Sequence, residues 1–350
     1  MRVSDRHGTV RLVLIVLLAG LLIATAAPSA ARPEDPGRID TGTYTSGVLT
    51  YTYETFVPDD LPADPALVVM IHGCKTTAEQ QRRANLLDPI ARRAGFVVLY
   101  VDGSPFHQLQ QRCWSGLLTP ALESRTSGDA AAIAAMTRLA IERYHVDSDR
   151  VYALGMSSGA YETTLLGAYF PDLFAAIGVH SGAAFDHGAL GCVGPYLPTV
   201  STEQLAAQAL SAEGRYRRVM PVIGFHGDAD LAVPYACGRQ VIEQWRQTDN
   251  LMSAAQAAPH EIPPQPTSIA DSVADVPEGH PYTVESWEQP DSDCPALQLW
   301  TVHDMAHYWS GGSPDPDAAE FTDARGPSAS RAAWDFFSHI RRTDTGFRCE

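Results

Sequence analysis

The sequence predicts an α/β fold, with a mostly parallel central sheet covered by helices on both faces. Three observations carry that expectation. Continuous apolar runs recur along the chain, as in Ala66–Ile71 and Val151–Met156, and strands buried on both faces read this way. Segments with helical spacing separate these runs, and strand–helix alternation calls for a parallel sheet. The third is Gly155-Met156-Ser157-Ser158-Gly159, where a strand runs into a helix through a serine with a glycine two residues away on each side.

The chain has 350 residues, enough for one large domain or two small ones. Its first 31 read as a secretory leader. Arg2, Arg6 and Arg11 are followed by an apolar run over 12–27 and by the small residues Ser29, Ala30 and Ala31, where a signal peptidase cleaves. The run is short for a membrane span. The expected location is therefore secreted, extracellular, without stable membrane anchoring after cleavage. Loss of the leader takes three arginines and one aspartate and moves the formal charge from −16 to −18, with 22 basic against 40 acidic side chains. Such a surface repels polyanions, which excludes nucleic acid as a partner.

Residues 32–42 are polar with two prolines and read as a disordered tether. From 43 to 57, Tyr44, Val48, Tyr51 and Tyr53 alternate with threonines, as in a hairpin. The buried strands follow at 66–71, 95–101, 150–156, 174–180, 220–225 and 296–302. Helices are expected over 76–94, 129–144, 158–169, 202–212, 234–247 and 328–341. Residues 250–284 hold six prolines and few large apolar side chains. Because a strand and a helix of the same kind come after them, they read as an insertion, lid-like, within a single domain over 43–350.

Glycines flanking a serine at a strand–helix junction permit a strained turn that presents the hydroxyl, which makes Ser157 the candidate nucleophile. A serine needs a histidine to take its proton and an acid to orient that histidine. Two later strand ends supply them: His226-Gly227-Asp228-Ala229-Asp230 after the strand at 220–225, and His303-Asp304-Met305-Ala306-His307 after that at 296–302. The order serine, aspartate, histidine is that of an α/β-hydrolase. Amides of Ser158 and of Cys74, in the loop His72-Gly73-Cys74, are the expected oxyanion donors. Asp129 opens a helix and reads as its N-terminal cap. Six cysteines in an exported chain could form three disulfides among fifteen pairings, and their scatter argues against zinc.

His72-Gly73-Cys74, Arg112-Cys113-Trp114, the serine motif, His226 to Asp230, His307-Tyr308-Trp309-Ser310-Gly311-Gly312 and Gly326 to Arg331 together resemble the secreted polyhydroxybutyrate depolymerase family of serine esterases. Feruloyl esterases, acetylxylan esterases and oxidised polyvinyl alcohol hydrolases are its relatives. The resemblance implies an α/β-hydrolase fold and an acyl-enzyme on Ser157. It implies Asp230 rather than Asp228 as the acid, His307 rather than His303 as the base, and a Cys74–Cys113 disulfide. Cys192–Cys237 and Cys294–Cys349 are a candidate arrangement for the other four cysteines. The expected substrate is an ester, polymeric in the first instance, and the chemistry needs no metal or cofactor. Polymer-degrading members often carry a separate binding module, and none is expected here. Trp309 and Trp114 are expected to wall the substrate site, with Tyr308 beside them, where the family more often has a small residue.

Overall fold

The computed structural model describes residues 37–350 except 105, 108–110, 188–190, 256–260, 290–293 and 318–319. The expected leader and residues 32–36 of the tether lie outside the described residues. Six strands form the parallel centre of a ten-stranded sheet: β3 (Ala66–Ile71), β4 (Phe96–Asp102), β5 (Val151–Met156), β6 (Ala176–His180), β7 (Val222–Gly227) and β10 (Pro295–Val302). Their order is β4-β3-β5-β6-β7-β10. Alternate residues of one strand point to opposite faces. Thus Leu67, Val69 and Ile71 join one apolar cluster, and Ala66, Val68 and Met70 the other. Both faces are dry, which is why these strands show no polar alternation. Each large aliphatic side chain so buried contributes about 1.5–3 kcal/mol.

Antiparallel pairs flank this centre. On one side β1 (Gly37–Ser46) pairs with β2 (Leu49–Pro58), which pairs with β4. The tether expected to run to residue 42 therefore gives way to a strand from Gly37 onward. Its residues look polar because an edge strand wets one face, and Asp40 is held by Tyr144 Oη at 2.8 Å and Arg143 Nη2 at 3.2 Å. On the other side β9 (Pro281–Glu288) pairs with β10, and β8 (Ser268–Val273) with β9. Pro277 lies between β8 and β9 and Pro281 opens β9, so the described part of 250–284 widens the sheet, while residues 256–260 of the expected insertion lie outside the described residues.

The helix expected over 76–94 is two, α1 (Ala78–Asn85) and α2 (Leu87–Ala94), separated by Leu86 at φ +58°. Pro89 is the cause: in a continuous helix its ring would strike the carbonyl of Asn85, whereas in the first turn of α2 it is tolerated. The remaining long helices are α3 (Gly128–Tyr144), α4 (Ser158–Tyr169), α5 (Thr202–Glu213), α6 (Tyr235–Ala255) and α7 (Ala329–Ser338). No helix among the described residues is long and apolar enough to cross a membrane. Cys74–Cys113, Cys192–Cys237 and Cys294–Cys349 are joined as disulfides.

Candidate active site

Ser157 sits between β5 and α4 at φ +53°, ψ −125°, a conformation costing a non-glycine residue about 1–3 kcal/mol. Its surroundings enforce it. A Cβ at position 155 would lie 2.2 Å from Gly159 O, and one at 159 would lie 2.2 Å from Ile71 O. Side chains at either position would push the serine out of the turn. The Ser157 amide donates to His180 O at 2.9 Å.

Asp230 follows β7 and is 4% exposed. One carboxylate oxygen accepts from the amides of Ala232 and Val233, both at 2.8 Å. The other lies 2.7 Å from Nδ1 of His307, which follows β10. Burial alone would raise the Asp230 carboxyl, but the hydrogen bond and charge of His307 outweigh it and hold it below the usual range. The two loops are knit together: Asp228 N donates to Val302 O at 3.1 Å and Ala229 N to Met305 O at 3.2 Å.

Asp228 and His303 also pair, at 2.8 Å. They do so on the surface, with side chains 35% and 38% exposed, and neither lines the cavity at Ser157. That cavity, about 280 Å³, is lined by Ser157 and His307 together with Gly73 and Cys74. Leu117, Met156, Tyr161, Val193, Val233 and Phe321 make it largely apolar.

The loop after β3 is clamped against the serine. A Cβ on Gly73 would come within 3.1 Å of Ser157 Cβ, so a side chain there would press on the serine and glycine eases the approach. His72 is spent on the loop itself: Nδ1 lies 2.7 Å from Gly73 O and Nε2 3.2 Å from Asp102. The Cys74–Cys113 bridge and the bond from Trp114 Nε1 to His72 O at 2.9 Å fix the same turn from behind.

The aromatic wall expected of Trp114 and Trp309 is not there. Both are fully buried, and neither lines the cavity. Trp309 belongs to the core and stacks on His180 at 4.8 Å between centroids; burial holds that imidazole at about 3, neutral in ordinary conditions. Tyr308 is exposed beside His307 but does not line the cavity. These large aromatics next to motif residues went inward, where each ring buries a large apolar area.

A second polar cluster lies under the helices. Asp129 does not cap α3. Glu123 does, accepting from the amides of Asp129 at 3.1 Å and Ala130 at 2.9 Å. Asp129 instead accepts from Tyr51 Oη at 2.6 Å, His107 Nε2 at 2.8 Å and Ser115 N at 2.9 Å. With Glu162, three carboxylates come within 4.8 Å of one another, a spacing a metal ion could bridge. However, Glu123 and Asp129 are already served by these donors, and burial pushes the Glu162 carboxyl well above the carboxylate range. The cluster is thus tied together by hydrogen bonds from Tyr51, His107 and Ser115 and from the amides that open α3.

The model of the esterase PHB depolymerase family matches residues 52–261. Feruloyl esterase B of Neurospora crassa is 32% identical over 218 residues, covering 58% of this chain and 71% of that protein. Probable acetylxylan esterase A of Aspergillus fumigatus is 34% identical over 176 residues, covering 49% of this chain and 46% of its own length. The acetyl xylan esterase structure from Aspergillus awamori shares the fold, with a TM-score of 0.64 at 20% identity over 85% of this chain and 99% of that one. The elbow serine, the sheet and the family match agree, and the chain belongs to the esterase PHB depolymerase family and is a serine hydrolase of the carboxylic-ester class.

Proposed function

We propose that the protein is an exported esterase that works through an acyl-enzyme on Ser157. His307 takes the hydroxyl proton and later activates water, and Asp230 fixes the imidazole. The amides of Cys74 and Ser158 hold the oxyanion. The observation that carries this reading is the pairing of buried Asp230 with half-buried His307, 2.7 Å apart, on the cavity that Ser157 lines at a positive φ. Substitution Ser157→Ala is expected to remove ester turnover while the protein stays folded. Undiminished turnover by that variant would reject the assignment.

The preferred substrate is a polyester of short hydroxyalkanoate units, a reading supported by the family match and the apolar cavity. A second reading, release of feruloyl or acetyl groups from plant polysaccharide, is favoured by the relatives at 32% and 34% identity. Turnover of a hydroxybutyrate oligomer against methyl ferulate and acetylated xylan separates the two. Export rests on the leader-like residues 1–31 and fits three disulfides in one chain. We read residues 37–350 as one catalytic domain.

A further inference from the structure

Lys75 is the only lysine in the sequence, against 24 arginines. It follows Cys74 in the loop beside the nucleophile and lines the Ser157 cavity. Its backbone is fixed, at φ +65° with its amide donating to Gln111 O at 2.6 Å. The side chain is exposed and, among the described residues, forms no ion pair with any carboxylate. Among the described residues, no aspartate or glutamate lines the cavity, although the chain carries a charge of −16. The lining residue Gln81 is buried and its Nε2 has no hydrogen-bond partner among the described residues. Thr76 spends its hydroxyl proton on Gly73 O at 2.8 Å.

Ester hydrolysis itself gives this ammonium nothing to do, since backbone amides serve the developing oxyanion. A local cation next to the nucleophile of an acidic protein does have one physical consequence. It offsets the repulsion an anionic substrate meets on approach and offers it a charge-assisted contact. We infer that Lys75, with Gln81 on the wall of the same cavity, forms a subsite for a carboxylate, so that the enzyme favours esters carrying a free carboxylate over neutral ones. The inference rests on the esterase reading above and narrows its substrate class. Each cut in a polyester of hydroxy acids leaves a fragment ending in a carboxylate. The product of one turnover thus carries the group this subsite would take in the next.

The test compares matched ester pairs on wild type, Lys75→Met, Lys75→Arg and Lys75→Glu. One pair is the linear dimer of 3-hydroxybutyrate and its methyl ester, with the carboxylate on the alcohol half. The other is monoethyl glutarate and ethyl pentanoate, with the carboxylate on the acyl half. Wild type is expected to favour the acid in at least one pair, and 0.5 M salt to reduce that preference. The ratio of kcat/KM, acid over neutral, should fall about tenfold in Lys75→Met, persist in Lys75→Arg and fall further in Lys75→Glu, the size of effect one charge-assisted contact gives. Ratios within twofold of one another in wild type, Lys75→Met and Lys75→Glu would overturn the subsite. If a variant fails to fold, the salt response of wild type alone decides: a ratio that salt does not move rejects the inference. Turnover of p-nitrophenyl butyrate is measured alongside. Its absence in wild type would bring down the esterase reading and the subsite with it, whereas its presence with no acid preference brings down the subsite alone.

Discussion

Two aspartate–histidine pairs in this molecule are nearly the same bond. Asp230 and His307 are 2.7 Å apart, Asp129 and His107 2.8 Å. In both, burial would raise the carboxyl and the paired imidazole pulls it below its usual range. What differs is access. The His307 side chain is 19% exposed and shares a cavity with Ser157, whereas His107 and Asp129 are 5% and 3% exposed and meet only other protein groups. The bond alone therefore does not mark a reactive site. In the proposed triad the partly exposed imidazole also faces the cavity that Ser157 lines.

The comparison can be broken most sharply at the proposed triad. Ser157→Ala should lower kcat by about four to six orders of magnitude, and Asp230→Asn by about three to four. Ester hydrolysis checks both, with circular dichroism to verify the fold. Retention of more than a tenth of activity in Asp230→Asn would detach the acid from the mechanism.

The buried pair should fail in the opposite way. Asp129→Ala leaves Tyr51, His107 and Ser115 without their acceptor, and should cost about 3–5 kcal/mol of stability. Activity per folded molecule should stay within a few-fold of wild type. Urea unfolding and active-site titration read the two quantities separately.

A pH dependence sharpens this contrast. Burial tends to lower the His107 imidazole, but the hydrogen bond and charge of Asp129 outweigh it and raise it above its ordinary 6.5. A histidine raised on folding contributes stability that is complete below about pH 6.5 and fades as pH rises through its folded value. Asp129, held below 3.8, contributes above that value and fades as pH falls through its own folded one. The deficit of Asp129→Asn should thus be larger at pH 5.5 than at pH 9. Equal deficits in denaturant titrations at both would remove the pair's charge from the account.

The smallest effect is expected at the third pair. His303 and Asp228 are 2.8 Å apart but more than a third exposed. Exposed pairs contribute about 0–1 kcal/mol, so His303→Ala should change neither stability nor kcat/KM appreciably. A hundredfold loss of turnover would mean the wrong histidine has been paired with Ser157.

The legibility of the sequence follows the physics of each region. Buried parallel strands were readable because two dry faces leave an unbroken apolar run, and the elbow because only glycine fits at 155 and 159. The choice between Asp228 and Asp230 was not readable from the residues themselves. Both follow β7, both bind a histidine after β10, and only burial separates them. Sequence adjacency also misled for Trp114 and Trp309, since it cannot say whether a ring beside a motif residue turns to the cavity or to the core. Glu123 as the cap of α3 carried no local signal, because it reaches the helix across a loop. The edge strand from Gly37 was hidden because its pairing with β2 organises polar residues that look like linker.

In the proposed mechanism Ser157 is the residue acylated during turnover. Its most direct test is the mass of the protein, and of its proteolytic peptides, after reaction with a fluorophosphonate that labels only activated serines. One adduct is expected, on the peptide containing Ser157, absent in Ser157→Ala and strongly slowed in His307→Ala. An adduct on another serine, or none in a preparation that hydrolyses esters, would contradict it.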